Sequence, residues 1–291
     1  GATARWSGRA DLHLHTNCSD GRYPPREVVA MAARAGVRVL AITDHDTVEG
    51  LPEARAEAEL RGLTLIPSVE LSVTAERQDL HILGYFLDPD HPGLLAHLAA
   101  LKHERDVRLE ETLSRLRGLG IELAEAAVRR EVEAGASVGR THVARALVAE
   151  GHVADLDAAF RRYLRDGGPA HVVKRTPTIE ESLAVLLDAG AVPVLAHPAS
   201  YRLEPVFWRL IRAGLRGVEV VHPSQPPAET TRLRSLARSW GLCETGGSDY
   251  HGHREVEMTP GSLEIEASEL DGLTRARDLV VEGRRKRDAG I

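Results

Sequence analysis

The decapeptide VRVLAITDHD, Val37 to Asp46, decides the fold. Its first seven residues are a near-continuous apolar run of strand length, and the run stops at Asp44-His45-Asp46. Upstream, Ala10–His15 alternates and ends in Asp11-Leu12-His13-Leu14-His15, a short strand running into the polar loop TNCSDG. Between them Pro24-Pro25 opens a helix that Gly36 stops. Downstream follow a helix over Leu51–Arg61 closed by Gly62, then strands over Leu63–Leu71 and Asp79–Leu87. The second half resumes the rhythm. Helix Ile179–Ala189 leads to strand Val192–Ala196, a helix from about Pro205 to strand Gly217–Val221, and helix Pro227–Trp240 to strand Leu242–Gly247. A last helix spans Ser268 to about Arg285.

Strand–helix alternation predicts a parallel sheet with helical crossovers, and about seven strands suit a closed or nearly closed α/β barrel better than an open sheet. Between about His97 and Pro177 the alternation breaks. That stretch is rich in Arg, Glu and Ala, with Leu109, Leu113 and Leu116 at helical spacing. The expectation is a discontinuous barrel, residues 10–100 and 178–291, carrying a helical insertion over residues 101–177.

The 291 residues include 43% hydrophobic and 27% charged side chains, the balance of a water-soluble globular protein. No apolar run approaches the ~20 residues that span a bilayer, and the first residues lack a signal-peptide core. Two cysteines, Cys18 and Cys243, are too few for a disulfide framework, so a reducing, cytoplasmic setting is expected. A net charge of −6 argues against a broad nucleic-acid-binding surface, although bound cations could still draw a phosphorylated substrate.

Fourteen histidines is a high count, and their positions matter more than their number. The first strand ends at His13 and His15, with Asp20 in the loop beyond; the second ends at Asp44 and His45, the third at Glu70. His81 lies on the fourth, His197 follows VPVLA, and Asp249 and His251 follow the last. Parallel barrel strands open their C-terminal ends on one face, so these residues converge. Spacing of i, i+2 puts His13 and His15 on one side of a strand, and Asp249 and His251 repeat it. One strand-end histidine is more often a hydrogen-bonded structural residue than a ligand; six histidines and three carboxylates on one face, besides Asp44, are not explained that way. Imidazole with carboxylate suits Mn, Fe or Zn, and the set exceeds what one ion uses, so two or three ions bridged by a carboxylate are expected. His91, His97, His103, His152 and His253 lack such placement and read as surface residues.

In order along the chain, DLHLHTNCSDG, AITDHDT, PSVELS, LHILGYF, LAHP and GGSDYHG resemble the motifs of the polymerase and histidinol phosphatase (PHP) superfamily. The likeness covers about residues 10–100 and 178–256. It implies a distorted (β/α)7 barrel with a di- or trinuclear metal centre, most simply of Mn2+, that hydrolyses phosphate esters. Carried across, it implies one ion on His13, His15, Glu70 and Asp249, a second on Glu70, His81 and His197, and a third on Asp20, His45 and His251. Glu70 and Asp249 would serve the reacting centre directly, where a hydroxide bridging two ions at Glu70 would attack phosphorus in line. Asp44 would orient ligands from behind. Ser68 stands where the family usually has Gly.

Within the insertion, Gly139-Arg140-Thr141-His142 resembles the GRPH element of PHP enzymes acting on 3′,5′-bisphosphonucleosides and on RNA 5′ ends, with Thr141 replacing the proline. GGPAHVVK, ending at Lys174, resembles that subfamily's segment that returns to the active site. The resemblance therefore assigns Arg140, His142 and Lys174 to substrate binding, joined by His222 of the loop after VEVV, and either His222 or a metal-bound water would protonate the leaving alkoxide. The implied substrate is a phosphorylated nucleotide or short RNA. Histidinol phosphate is the nearest competing substrate, and a non-catalytic metal-binding interaction domain the competing class. A complete set of nine ligand positions speaks against the latter.

Overall fold

The computed structural model describes residues 8–76, 78–132, 138–173, 177–252, 259–263, 265 and 270–289. The chain divides into two compact units, residues 1–97 with 176–291, and residues 98–175.

In the first unit seven strands form one sheet in chain order: β1 (Arg9–Leu14), β2 (Val37–Ile42), β3 (Thr64–Ala75), β4 (Gln78–Tyr85), β5 (Val192–Leu195), β6 (Gly217–Val221) and β7 (Cys243–Gly246). A parallel bridge joins Leu14 to Tyr250, and the His15 and Asp249 N–H groups donate to Tyr250 O (3.0 Å) and His13 O (2.9 Å). These bonds bring the segment after β7 back onto β1. The result is a distorted (β/α)7 barrel. Leu12, Val39, Ala41, Ile66, Leu83 and Val194 fill its interior, from strands whose apolar runs left no face for water.

Local chemistry sets the helix ends. Proline opens α1 (Pro25–Arg34) and lies in the first turn of α2 (Leu51–Arg61), where a missing N–H costs nothing. Gly62, at φ 65°, closes α2 in the left-handed region. Five further helices of known range follow: α3 (Pro92–Gly118), α4 (Glu125–Arg130), α5 (Arg140–Ala149), α6 (Leu156–Ala159) and α7 (Ile179–Asp188). Thr178 caps α7 reciprocally with Glu181: Glu181 N–H donates to Thr178 Oγ1 (3.2 Å) and Thr178 N–H to Glu181 Oε2 (2.8 Å). Then come α8 (Phe207–Ala213), α9 (Pro227–Ser239) and α10 (Asp271–Asp288). No helix among the described residues is long and apolar enough to cross a membrane.

The second unit is helical and has its own core. Leu109, Leu113 and Leu116 of α3 pack with Val143, Leu147 and Leu164.

The sheet departs from the all-parallel expectation at one strand. β4 runs antiparallel to both β3 and β5. Only Glu76 and Arg77 separate β3 from β4, far too few for a crossover, so the two strands pair as a hairpin. β3 consequently extends to Ala75, and Ser72 pairs with His81. His81 therefore reaches the ligand face from the first half of an antiparallel strand rather than from a strand end.

Where β7 ends, Gly247 touches β1. A Cβ there would lie 2.3 Å from His13 Cβ and 2.4 Å from His13 N, which is backbone and cannot yield. Gly247→Ala should therefore destabilise the barrel by ~1–3 kcal/mol, the range for overpacking, and lower the thermal midpoint measurably. An unchanged melting curve would show that β1 and β7 do not approach this closely.

Candidate metal centre

Glu70 sits in the middle of β3 with no exposed surface. An ionised carboxylate there loses several kcal/mol of hydration and must be offset locally. The offset is a ring of imidazoles. Oε1 faces His81 Nδ1 (2.9 Å) and His197 Nε2 (3.2 Å). Oε2 faces His13 Nε2 (3.1 Å), His15 Nε2 (3.2 Å) and His45 Nδ1 (3.3 Å). Two further carboxylates flank this group. Asp249 places Oδ1 3.3 Å from His13 Nε2 and 3.2 Å from His15 Nε2, and Oδ2 3.2 Å from His222 Nε2. Asp20 lies 3.3 Å from His251 Nε2 and 3.6 Å from His45 Nε2.

The backbone is bent to achieve this. Asp46, His197 and Asp249 hold positive φ (51°, 28° and 51°), a region unfavourable to side chains with Cβ. Bonds on each side hold them there: Asp46 N–H donates to Glu70 O (2.9 Å), Asp249 N–H to His13 O (2.9 Å) and His197 N–H to Glu219 Oε2 (2.7 Å). The loop carrying Asp20 is fastened by Asp44. Its buried carboxylate accepts the Thr16 N–H, the Thr16 hydroxyl and the Ser19 hydroxyl, each at 2.7 Å. Ser68 donates its hydroxyl to Ile42 O at 2.6 Å, pinning β3 to β2 beside Glu70.

All nine sequence-nominated ligands thus belong to this one cluster, and His222 joins them through Asp249. Potential ligand atoms lie within 4.8 Å of one another in four sets: His15, Asp20, His45 and His251; His13, His222 and Asp249; His13, His15 and Glu70; His45, Glu70 and His81. Buried His15 Nδ1 and Nε2, His45 Nδ1 and His81 Nδ1 make no hydrogen bond of good geometry. Such polar atoms in an interior call for a further partner. Nitrogen and oxygen donors without thiolate suit Mn, Fe or Zn, so the residues present fit divalent ions.

The model of the PHP domain matches residues 11–165, over half of the chain. The chain belongs to the PHP domain family. A 3′,5′-nucleoside bisphosphate phosphatase from Chromobacterium violaceum is 35% identical over 258 residues, covering 86% of this chain and 90% of that protein. The 5′-3′ exoribonuclease Rnm of Salmonella typhimurium is 37% identical over 249 residues, covering 83% and 84%. A structure described as a metal-dependent phosphoesterase from Bifidobacterium adolescentis superposes with a TM-score of 0.77 at 29% identity, covering 94% of this chain and 98% of that one. This PHP protein is a metal-dependent phosphoester hydrolase.

The residues assigned to substrate binding fall differently. Arg140 and His142 belong to the second unit. Arg140 opens α5, with its guanidinium donating to Asp166 Oδ1 (2.5 Å) and Leu164 O (3.3 Å). His142 Nδ1 accepts the Gly139 N–H at 2.9 Å, a cap for α5. Lys174 lies outside the described residues. His91, His97 and His152, expected at the surface, are half-buried, His103 is exposed, and His253 lies outside the described residues. Glu219 and Tyr201 were passed over. The only signal for Glu219 was one acid inside the apolar strand GVEVV, and Tyr201 had none.

Electrostatics ties protons to this centre. Burial disfavours a charged His13, but Glu219, Glu70 and Asp249 outweigh it and hold the pKa well above the ordinary value. His15, opposed by burial yet facing the Asp249 and Glu70 carboxylates, is raised to about 10. Glu70 goes the other way: burial would raise it, but His45, His13 and His81 hold it well below the carboxylate range. Coordination needs neutral imidazole, so Mn2+ added to the ion-free protein near pH 7.5 should expel roughly two protons, those of His13 and His15. Calorimetry in buffers of different ionisation enthalpy checks this, and proton-neutral binding would contradict it. The linkage also has a sign. Stabilisation from His15 is full below 6.5 and lost as pH rises toward about 10, while that from Glu70 is present above 4.5 and lost as pH falls. The ion-free protein should therefore be most stable in mildly acidic solution, and saturating Mn2+ should move the optimum upward.

Proposed function

We propose that this PHP enzyme removes the 3′-phosphate of nucleoside 3′,5′-bisphosphates and that the same site also attacks short 5′-phosphorylated RNA. The observation carrying the reading is the buried Glu70 carboxylate facing five imidazoles, with Asp249 and Asp20 beside it. The substrate class is taken from the names of the bisphosphate phosphatase and the exoribonuclease, which match over most of the chain.

In this reading His13, His15, Glu70 and Asp249 hold one divalent ion, Glu70, His81 and His197 a second, and Asp20, His45 and His251 a third, with Mn2+ the natural occupant. Bound there, such ions lower the pKa of water and neutralise the phosphate oxygens on which charge builds. The chain's own groups do the positioning. Glu70 and Asp249 are fixed between histidines on several sides, so neither must reorganise when a dianionic phosphate arrives. His222 is held at both ring nitrogens, Nδ1 by the Ser224 hydroxyl at 2.7 Å and Nε2 by Asp249 at 3.2 Å. A proton kept at Nε2 is the one to deliver to the departing 3′-oxygen.

Selection falls to the insertion. Arg140 would grip the phosphate that is not cleaved, with His142 fixing the start of α5 beneath it and Lys174 adding a second cation. The Arg140–Asp166 pair does not prevent this. Asp166 is 83% exposed, and pairs so solvated contribute little, so a phosphate dianion can replace it. A nucleotide substrate accords with a cytoplasmic enzyme.

A phosphate-release assay with Mn2+ should show adenosine 3′,5′-bisphosphate as the best substrate, 5′-phosphorylated short RNA next and histidinol phosphate poor. Preference for histidinol phosphate would overturn the substrate reading, and ion binding without any release would make the protein a non-catalytic binding module. Arg140→Ala should cost a tenfold to hundredfold loss on the bisphosphate, since a charge-assisted contact is worth ~1.5–3 kcal/mol. Hydrolysis of p-nitrophenyl phosphate, which has no second phosphate, should scarcely change. Equal losses on both would place Arg140 at the reacting phosphate or in the fold.

A further inference from the structure

Among the buried carboxylates that the ion sets above do not use, one bonds two of the histidines. Glu219, on β6, has no exposed surface, and its two oxygens are divided between two histidines. Oε1 lies 2.9 Å from His13 Nδ1, and Oε2 accepts the backbone N–H of His197 at 2.7 Å. Tyr201 extends the line: its oxygen lies 2.9 Å from His197 Nδ1 and accepts the His81 N–H at 3.1 Å. A bonded chain His13–Glu219–His197–Tyr201–His81 therefore runs behind the centre, through β1, β6, the end of β5 and β4. On the opposite edge of both rings, His13 Nε2 and His197 Nε2 face Glu70 at 3.1 and 3.2 Å.

A neutral imidazole has one N–H and one lone pair, and the partner of one nitrogen decides what the other offers. An ionised carboxylate only accepts, so Glu219 requires the hydrogen of His13 on Nδ1. We propose that Glu219 is a positioning residue that holds His13 as the Nδ1–H tautomer, so that it turns an Nε2 lone pair toward the ions beside Glu70, and that Tyr201 fixes the ring of His197 beside it. Tyr201 accepts the His81 N–H and bonds His197 Nδ1, and Glu219 also anchors His197 in its left-handed backbone conformation. The inference rests on reading the cluster as an ion centre.

Glu219→Gln separates this role from simple packing. The amide keeps size and shape but has one acceptor oxygen and one donor NH2, so it cannot accept from both His13 Nδ1–H and His197 N–H. It either turns His13 to the Nε2–H form or leaves the His197 N–H unsatisfied. On metal-free protein, calorimetric titration with Mn2+ should show Glu219→Gln binding about 10–100-fold more weakly than wild type, the usual effect of removing such an outer partner. Tyr201→Phe should weaken binding by a smaller factor. In Zn2+-loaded wild-type protein, nitrogen-15 spectra of the histidines should place the hydrogen of His13 on Nδ1. That reading needs no variant to fold. An Nε2–H tautomer at His13, or a folded Glu219→Gln protein with wild-type affinity, overturns the inference while leaving the ion centre intact. Wild-type protein that binds neither Mn2+ nor Zn2+ overturns the ion centre itself, and this inference with it.

Discussion

Burying the charge of Glu70 is the constraint on which the rest depends. A carboxylate with no access to water is tolerable only if several polarised groups converge on it, and five histidines do so from four strands and their loops. That convergence explains features that would otherwise be costly. Positive φ at Asp46, His197 and Asp249 bends strand ends toward the centre, and Gly247 lets β7 lie directly against His13. Ser68 and Asp44, neither facing the centre, fasten the strand and the loop that do.

The same arrangement makes the site a receptor for cations rather than a finished charge network. With His13 and His15 protonated, their charge offsets part of that of the carboxylates but their Nε2 lone pairs are occupied; divalent ions would replace those protons and use the lone pairs. Folding, protonation and ion binding are thus linked through one set of atoms. The insertion is a separate helical unit with its own leucine core, which lets it vary without disturbing Glu70.

Much of this was legible in the residues. Apolar runs that stop at histidine or aspartate showed both where strands end and which face carries chemistry, because strand period and ligand type coincide at His13-x-His15 and Asp249-x-His251. The direction of β4 was missed, since alternating apolar residues look alike in either direction. The two-residue link at Glu76 and Arg77 was the available sign of a hairpin. Glu219 was hidden for a related reason: one acid in a short strand is indistinguishable from a solvated one until the fold shows both faces covered. Tyr201 sits in an irregular turn, where no periodicity exists to flag it. Arg140 looked like a free phosphate anchor, and its bond to Asp166 depends on a loop 26 residues away that the local motif could not reveal.

In the proposed function Glu70 is shared between the ions of a multinuclear centre. Diffraction from Mn2+-soaked crystals, with anomalous differences collected near the manganese edge, tests it most directly. At least two peaks are expected, each within about 2.0–2.3 Å of a Glu70 oxygen and of ring nitrogens from His13, His15, His81 or His197. Well-occupied peaks that all lie away from Glu70, or crystals that bind no ion while the protein still hydrolyses phosphate esters, would contradict it.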